Sequence, residues 1–303
     1  MKTAKTGLLH QAFIESKVDK LPPTKAVSVV DSASVLEAIQ SMVAHKVGCV
    51  LVTGPGGAPR GIFTERDILN RIWPRSEALS AIPVNAVMTE NPQTLKYHAS
   101  IGKALYLMTV GGFRHIPVEQ RDGSWSIVSV RDFTRFLYHK MQTRKMKEER
   151  GEVVLVENND VELFLTGDVS SIRAQKPVTA SEGDTVESVV AKMRVNSLGS
   201  LVITKHEQGR VLGVFSERDL MNRIITERDQ TRGEPISRFM TRQPVTLQPT
   251  TSVLYALQVM VERSFRHMPI VDFEERLTGI LSIKDFVQTL AEGVVESLSH
   301  HSS

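Results

Sequence analysis

The chain has 303 residues, 41% of them hydrophobic and 23% charged, with 37 Lys and Arg against 34 Asp and Glu. That length is a soft indication of about two domains with real cores, and the composition excludes disordered, collagen-like and low-complexity chains. A net charge of +3 is too small to imply nucleic acid or a membrane surface, so any anion site must be local.

Residues 1–20 read as an N-terminal arm without the apolar stretch of a secretory leader, and no segment approaches the roughly 18 apolar residues of a membrane span. The lone Cys49 excludes an internal disulfide framework and fits a reducing compartment. The expected localisation is cytoplasmic, with no membrane partner.

From residue 21 the chain repeats itself. In the first unit, 21–73, the stripe Val35/Ala38/Ile39/Met42 predicts an amphipathic helix. An aliphatic strand follows at Cys49–Val52, and then a turn at Gly54–Gly61. That turn lacks the Gly-Lys-Ser/Thr ending of a phosphate loop and reads as a hairpin connection. A second strand ends at Thr64, and a second helical pattern runs from Asp67 to Ile72. The unit is β-α-β-β-α. The second unit, 86–140, repeats the order with Met88-Thr89, the stripe Ile101/Ala104/Leu105/Met108, a strand at His115–Val118 and another ending in Ser129. A linker is expected at 141–171. The basic run Lys140 to Lys147 at its start reads as a solvated helix face, so no nucleic acid is expected.

The third and fourth units, 172–226 and 238–292, restate the first two at an offset of 152 residues, the separation of Asp67 and Asp219. Their stripes are Val186/Val189/Val190/Met193 and Val253/Ala256/Leu257/Met260, and a polar tail closes the chain at 293–303. The fold class is therefore α/β, four β-α-β-β-α repeats arranged as two duplicated pairs. What remains is too short and scattered for the roughly 100 to 150 residues of a separate catalytic domain. The chain is expected not to be an enzyme, with no catalytic residues and no catalytic cofactor. Nine dispersed His give no metal-ligand spacing, so no metal is expected.

Each repeat ends its second strand with a hydroxyl residue and places an Asp three positions later: Thr64/Asp67, Ser129/Asp132, Ser216/Asp219 and Ser282/Asp285. This spacing is that of a helix cap. It also offers backbone N–H groups to a phosphate and a carboxylate to the vicinal hydroxyls of a ribose, and both readings stay open. Every Asp is preceded by a cation, Arg66, Arg131, Arg218 or Lys284, placed to face phosphate. The pairs Arg114-His115 and Arg266-His267 stand where the odd repeats have Gly48-Cys49 and Gly199-Ser200. A cationic pair beside a small-residue opening suits an anionic ligand. A solvated Arg with a core-edge His is the competing reading.

These residues resemble the CBS domain family, named after cystathionine β-synthase, in two tandem pairs known as Bateman modules. The most specific matches are Gly61-Ile62-Phe63-Thr64-Glu65-Arg66-Asp67, Gly213-Val214-Phe215-Ser216-Glu217-Arg218-Asp219, the Met-Thr pairs and the Phe-Arg-His-x-Pro runs. In unit count and in the Arg-His-x-Pro pattern the chain is also similar to the gamma subunit of AMP-activated protein kinase, which does not license a kinase partner. The resemblance implies two pseudo-two-fold pairs of repeats, with clefts for an adenine nucleotide: AMP, ADP, ATP or NAD. In those clefts the Thr/Ser and Asp of the four motifs meet ribose and phosphate. Backbone near Val27, Thr94, Thr179 and Thr246 meets adenine, and Arg114, His115, Arg266 and His267 meet phosphates. Ser126 replaces the motif glycine in the second repeat, so the clefts of Asp67 and Asp219 rank above those of Asp132 and Asp285.

The expected function is that of a non-catalytic sensor whose nucleotide occupancy shifts module orientation, acting as a homodimer or on an effector protein. The alternative is a constitutive assembly protein with degenerate clefts.

Overall fold

A computed structural model describes residues 16–22, 24–150, 167–172, 174, 176–206 and 209–289, without the side chains of 141 and 144–149. Four equivalent helices, Val35–Ala44, Ile101–Gly111, Val186–Val195 and Val253–Arg263, carry the predicted stripes. In each, the buried residues are the four apolar positions of the stripe, none more than 2% exposed. Each helix starts at a hydroxyl cap: Ser34, Ser100, Thr185 and Ser252 accept from the backbone N–H three residues on. Ser34 completes a capping box by donating its own N–H to Glu37 Oε2 at 2.7 Å. After each helix the chain turns through a left-handed residue, Lys46, Gly112, Ser197 or Ser264, of which only one is glycine.

The strands are β1 (Thr24–Lys25), β2 (Ser28–Val30), β3 (Cys49–Thr53), β4 (Pro59–Thr64), β5 (Thr89–Glu90), β6 (Leu95–Lys96) and β7 (His115–Glu119). They continue with β8 (Trp125–Ser129), β9 (Thr179–Ser181), β10 (Ser200–Thr204), β11 (Val211–Ser216), β12 (Thr241–Arg242), β13 (His267–Val271) and β14 (Leu277–Ser282). The sheets run β2-β3-β4-β5, β1-β8-β7-β6 and β12-β11-β10-β9, with β13-β14 as a hairpin. Within each repeat, a parallel strand precedes an antiparallel hairpin; in the fourth repeat, the parallel strand is reduced to a bridge between Leu247 and Ile270.

The outermost strand of three sheets belongs by sequence to the neighbouring repeat. β1 leads into repeat 1 yet pairs with β8 of repeat 2, whereas β5 opens repeat 2 and pairs with β4 of repeat 1; β12 pairs with β11 in the same way. The described part of the arm follows suit: Val18 N–H donates to Ala99 O at 2.9 Å, and Ile101 N–H to Ser16 O at 2.8 Å. This exchange accounts for the motif glycines and for the Met-Thr pairs. A Cβ on Gly61 would lie 2.2 Å from Met88 Sδ, and one on Gly213 2.4 Å from Met240 Sδ. Ser126, at the same place in β8, pairs with Lys25 of β1 and accepts from Gln120 Nε2 on its Oγ at 2.6 Å.

Two large cores join repeats across the modules. One contains the helices of repeats 1 and 3, the other those of repeats 2 and 4, while a small cluster of Cys49, Leu51, Ile62 and Ile127 lies between the sheets of repeats 1 and 2. The sequence pairs are thus joined by strand exchange and sheet contact, and the two modules meet through helices. Arg232, in the connection between repeats 3 and 4, adds to the first junction, stacking 4.6 Å over the Trp73 ring and donating to Trp73 O at 2.6 Å. Helix Val130–Glu149 runs through the linker boundary expected at 140, and the remaining linker stretch 151–166 lies outside the described residues. The basic run at 140–147 has most of its side chains outside the described set. No described helix is long and apolar enough to cross a membrane.

Candidate functional site

All four Asp residues cap the helix that follows their strand. The backbone N–H of Thr64, Ser129, Ser216 and Ser282 donates to an Asp Oδ2 at 2.9, 2.8, 3.0 and 2.6 Å. The hydroxyls of Thr64, Ser129 and Ser216 add bonds of 2.7 Å each. Burial raises the Asp67, Asp132 and Asp285 carboxyls against these bonds. The second oxygen separates the repeats. Asp67 Oδ1 pairs with Arg71 at 3.3 Å and Asp219 Oδ1 with Arg223 at 3.4 Å, whereas Asp132 and Asp285 have no ion pair among the described residues.

At the junction of the modules lies a cluster whose partners the sequence did not foretell. Glu65 is 1% exposed and Glu217 is fully buried. Glu65 accepts Arg266 at 2.5 Å and Arg218 at 2.9 Å; Glu217 accepts Arg114 at 2.5 Å and Arg66 at 3.1 Å. All three equivalent pairs of residues keep the 152-residue offset, so the cluster has its own pseudo-two-fold symmetry. Burial would raise the Glu65 carboxyl, yet Arg266, Arg218 and Arg114 outweigh it and hold it down at about 2. Arg114 and Arg266, expected to meet phosphates, are therefore already paired across the modules.

His115 and His267 depart further from expectation. Burial, reinforced by Arg114 for the first and by Arg266 and Arg114 for the second, lowers each to about 3. Both are neutral at physiological pH and bring no positive charge to an anion. The small residues opposite them have a steric purpose: a Cβ on Gly48 would sit 3.2 Å from His115 Nε2, and one on Gly199 3.4 Å from His267 Cε1. The core-edge reading of the histidines is the one the geometry supports. Cys49, beside the same cluster, is pushed up first by burial and then by Glu65.

Two clefts gather many of the predicted residues. The first, about 840 Å³ with open solvent included, is lined by Val27, Arg114, His115, Ser129, Arg131, Asp132, Arg218 and Arg266, and also by Lys25, Lys46, Gly48 and Arg135. Its charged lining is seven cations to one carboxylate. The second, about 720 Å³, takes Ser216, Arg218, Asp219, Arg266 and His267, with Val245 and Pro244 beside them. Arg218 and Arg266 line both.

The remaining predicted residues lie outside these two clefts. Thr246 lines an outer groove with Arg242 and Phe273, so Val245 is the cleft residue of that turn. Thr94 is exposed and Thr179 pairs with Val202 in β9. Thr64, Arg66 and Asp67 stand at the repeat 1 turn, and Ser282, exposed Lys284 and Asp285 at the repeat 4 turn.

The geometry bears on the expected order of the clefts. Ser126 is not among the residues lining the Asp132 cleft, and the motif glycines of repeats 1 and 3 lie against Met88 and Met240. Asp132 also keeps an oxygen without an ion pair. Lys25, Lys46 and Arg135 were missed, since nothing local distinguishes an exposed-looking Lys or Arg from one that tertiary packing turns toward a cleft.

The CBS domain family model matches residues 18–74, 84–139, 169–226 and 236–292. The CBS domain-containing protein CBSCBSPB1 of Arabidopsis thaliana is 25% identical over 291 residues, which cover 89% of this chain and 52% of that protein. The chain thus spans about half the length of the curated relatives it matches over most of its residues. Among solved structures, MJ1225 of Methanocaldococcus jannaschii, described as an archaeal homologue of g-AMPK, superposes with a TM-score of 0.70 at 21% identity. The match covers 91% of this chain and 100% of that one. A conserved protein of Pyrococcus horikoshii gives a TM-score of 0.58 at 16% identity, with the same coverage.

Proposed function

The chain belongs to the CBS domain family, four repeats of it, and from that premise we propose that it is a non-catalytic regulatory protein binding an adenine nucleotide in the Asp132 cleft. The observation that carries the reading is the lining of that cleft, seven cations against one carboxylate. Such a site favours a ligand with negative charge. Asp132 has an oxygen free to accept from a ribose diol, and Ser129 ends the strand beside it. Val27 offers backbone at the same cleft. Occupancy acts on module orientation because Arg114, Arg218 and Arg266 line the cleft while pairing with Glu217 and Glu65 at the junction. A ligand that draws on these arginines favours one arrangement of the modules over another.

Titration calorimetry with AMP, ADP, ATP and NAD tests the proposal, alongside thermal unfolding. At a hundredfold excess over the dissociation constant a bound nucleotide stabilises the fold by about 2.7 kcal/mol. Asp132→Ala weakens affinity roughly ten- to a hundredfold through lost charge-assisted bonds, beyond the loss of about 1 kcal/mol in stability from its cap. No stabilisation by any adenine nucleotide overturns it. The assembly reading would then stand, favoured by the engagement of Asp67 and Asp219 with Arg71 and Arg223.

A further inference from the structure

The charged groups of the Asp132 cleft fall into two sets. Arg114 shares Glu217 with Arg66, and Arg218 and Arg266 share Glu65, so this first set itself carries more cations than carboxylates. Lys25, Lys46, Arg131 and Arg135 also line the cleft, and among the described residues none of the four makes an ion pair. Four unpaired cations against Asp132 leave three uncompensated positive charges in this second set alone. Of the four, Arg131 and Arg135 are half-buried while Lys25 and Lys46 are exposed. The Arg131 guanidinium makes a long bond of 3.5 Å from Nη2 to Ser264 O. Burial first, then Arg218 and Arg266, lower it to about 10, against the opposing pull of Asp132 and Glu65. The Asp219 cleft differs: its two arginines, Arg218 and Arg266, are both held by Glu65, and its histidine is neutral.

We infer that the Asp132 cleft selects its ligand by phosphate number, taking a nucleoside di- or triphosphate over a monophosphate, with Arg131 as the specificity-determining residue. This rests on the nucleotide reading above and narrows it. A monophosphate brings about two negative charges at neutral pH, while a di- or triphosphate brings about three or four. Only the longer chains match the surplus and reach an arginine fork that no side chain of the protein occupies.

The test is titration calorimetry of the full chain with AMP, ADP and ATP at fixed ionic strength and without magnesium. ADP and ATP bind at least about tenfold more tightly than AMP, the return on one charge-assisted bond. Arg131→Gln brings the three within about threefold of one another, and Arg131→Lys, which keeps the charge but not the fork, leaves an intermediate gap. Should Arg131→Gln fail to fold, Arg135→Gln, on the same helix, reads the same surplus and narrows the gap. Equal affinities in the wild-type protein overturn the inference while leaving the nucleotide reading intact, and so does a gap unchanged in Arg131→Gln. Failure of all three nucleotides to bind removes the nucleotide reading itself.

Discussion

Replacing Glu65 by Gln tests the junction of the two modules. The side chain is 1% exposed and holds Arg266 at 2.5 Å and Arg218 at 2.9 Å. Gln keeps the shape but not the charge, and Arg266, whose side chain is 14% exposed, is left largely without solvent or counterion. Removing one partner of a buried pair typically costs about 3 to 5 kcal/mol. The depression of Glu65 from 4.5 to about 2, at 1.36 kcal/mol per unit, corresponds to about 3 kcal/mol. Arg266 feels burial first, and Arg218 and Arg114 also oppose its charge, so the pair gains less than the carboxylate alone indicates. The lower end, about 3 kcal/mol, is the expected loss. Urea unfolding is the suitable assay, because guanidinium would itself screen the ion pairs. A double-mutant cycle with Arg266→Gln isolates the coupling. Since the folded-state value is depressed, the contribution is fully present above about pH 4.5 and is lost as pH falls toward about 2. The difference between wild type and Glu65→Gln should shrink across that window. A loss below about 0.5 kcal/mol at neutral pH, or a difference that persists unchanged to pH 2, would refute the reasoning.

The histidines make acid sensitivity predictable. The unfolded chain takes up protons near pH 6.5 that folded His115 and His267 refuse until about 3, so stability is full above about pH 6.5 and declines below it. The slope is about 1.4 kcal/mol per pH unit for each histidine; urea midpoints at pH 7, 6 and 5 should show it, reduced in His115→Gln. Gly213→Ala should destabilise by about 1 to 3 kcal/mol and more than Gly61→Ala. A Cβ there meets Thr241 O at 2.9 Å as well as Met240, whereas at Gly61 the three nearest atoms all belong to Met88; equal midpoints for the two variants would contradict the strand-lock assignment. Ser100→Ala removes a cap and should cost about 1 kcal/mol, read from the same unfolding curves.

Much of the fold was legible because its determinants are local. A period of 3.6 residues placed Val35, Ala38, Ile39 and Met42 on one face, and that face is the buried one. The hydroxyl-to-Asp spacing fixed four caps whatever their ligand role. Strand exchange was not legible, because β1, β5 and β12 are two-residue strands whose partners are set by the packing of a different repeat. Glu65 and Glu217 stand within the repeated motifs, but their partners lie in the opposite module, between about 100 and 200 residues away in the chain. The neutrality of His115 comes from burial and from Arg114, neither of which a single sequence displays. The engagement of Asp67 depends on Arg71, one helical turn beyond the motif, which takes the second carboxylate oxygen.

A crystal structure of the protein grown with ADP would bear most directly on the account. It should show the diphosphate against Arg131, the ribose hydroxyls on the free oxygen of Asp132 and the adenine beside Val27. An empty Asp132 cleft at saturating ADP, or the nucleotide bound away from Arg131 and Asp132, would contradict it.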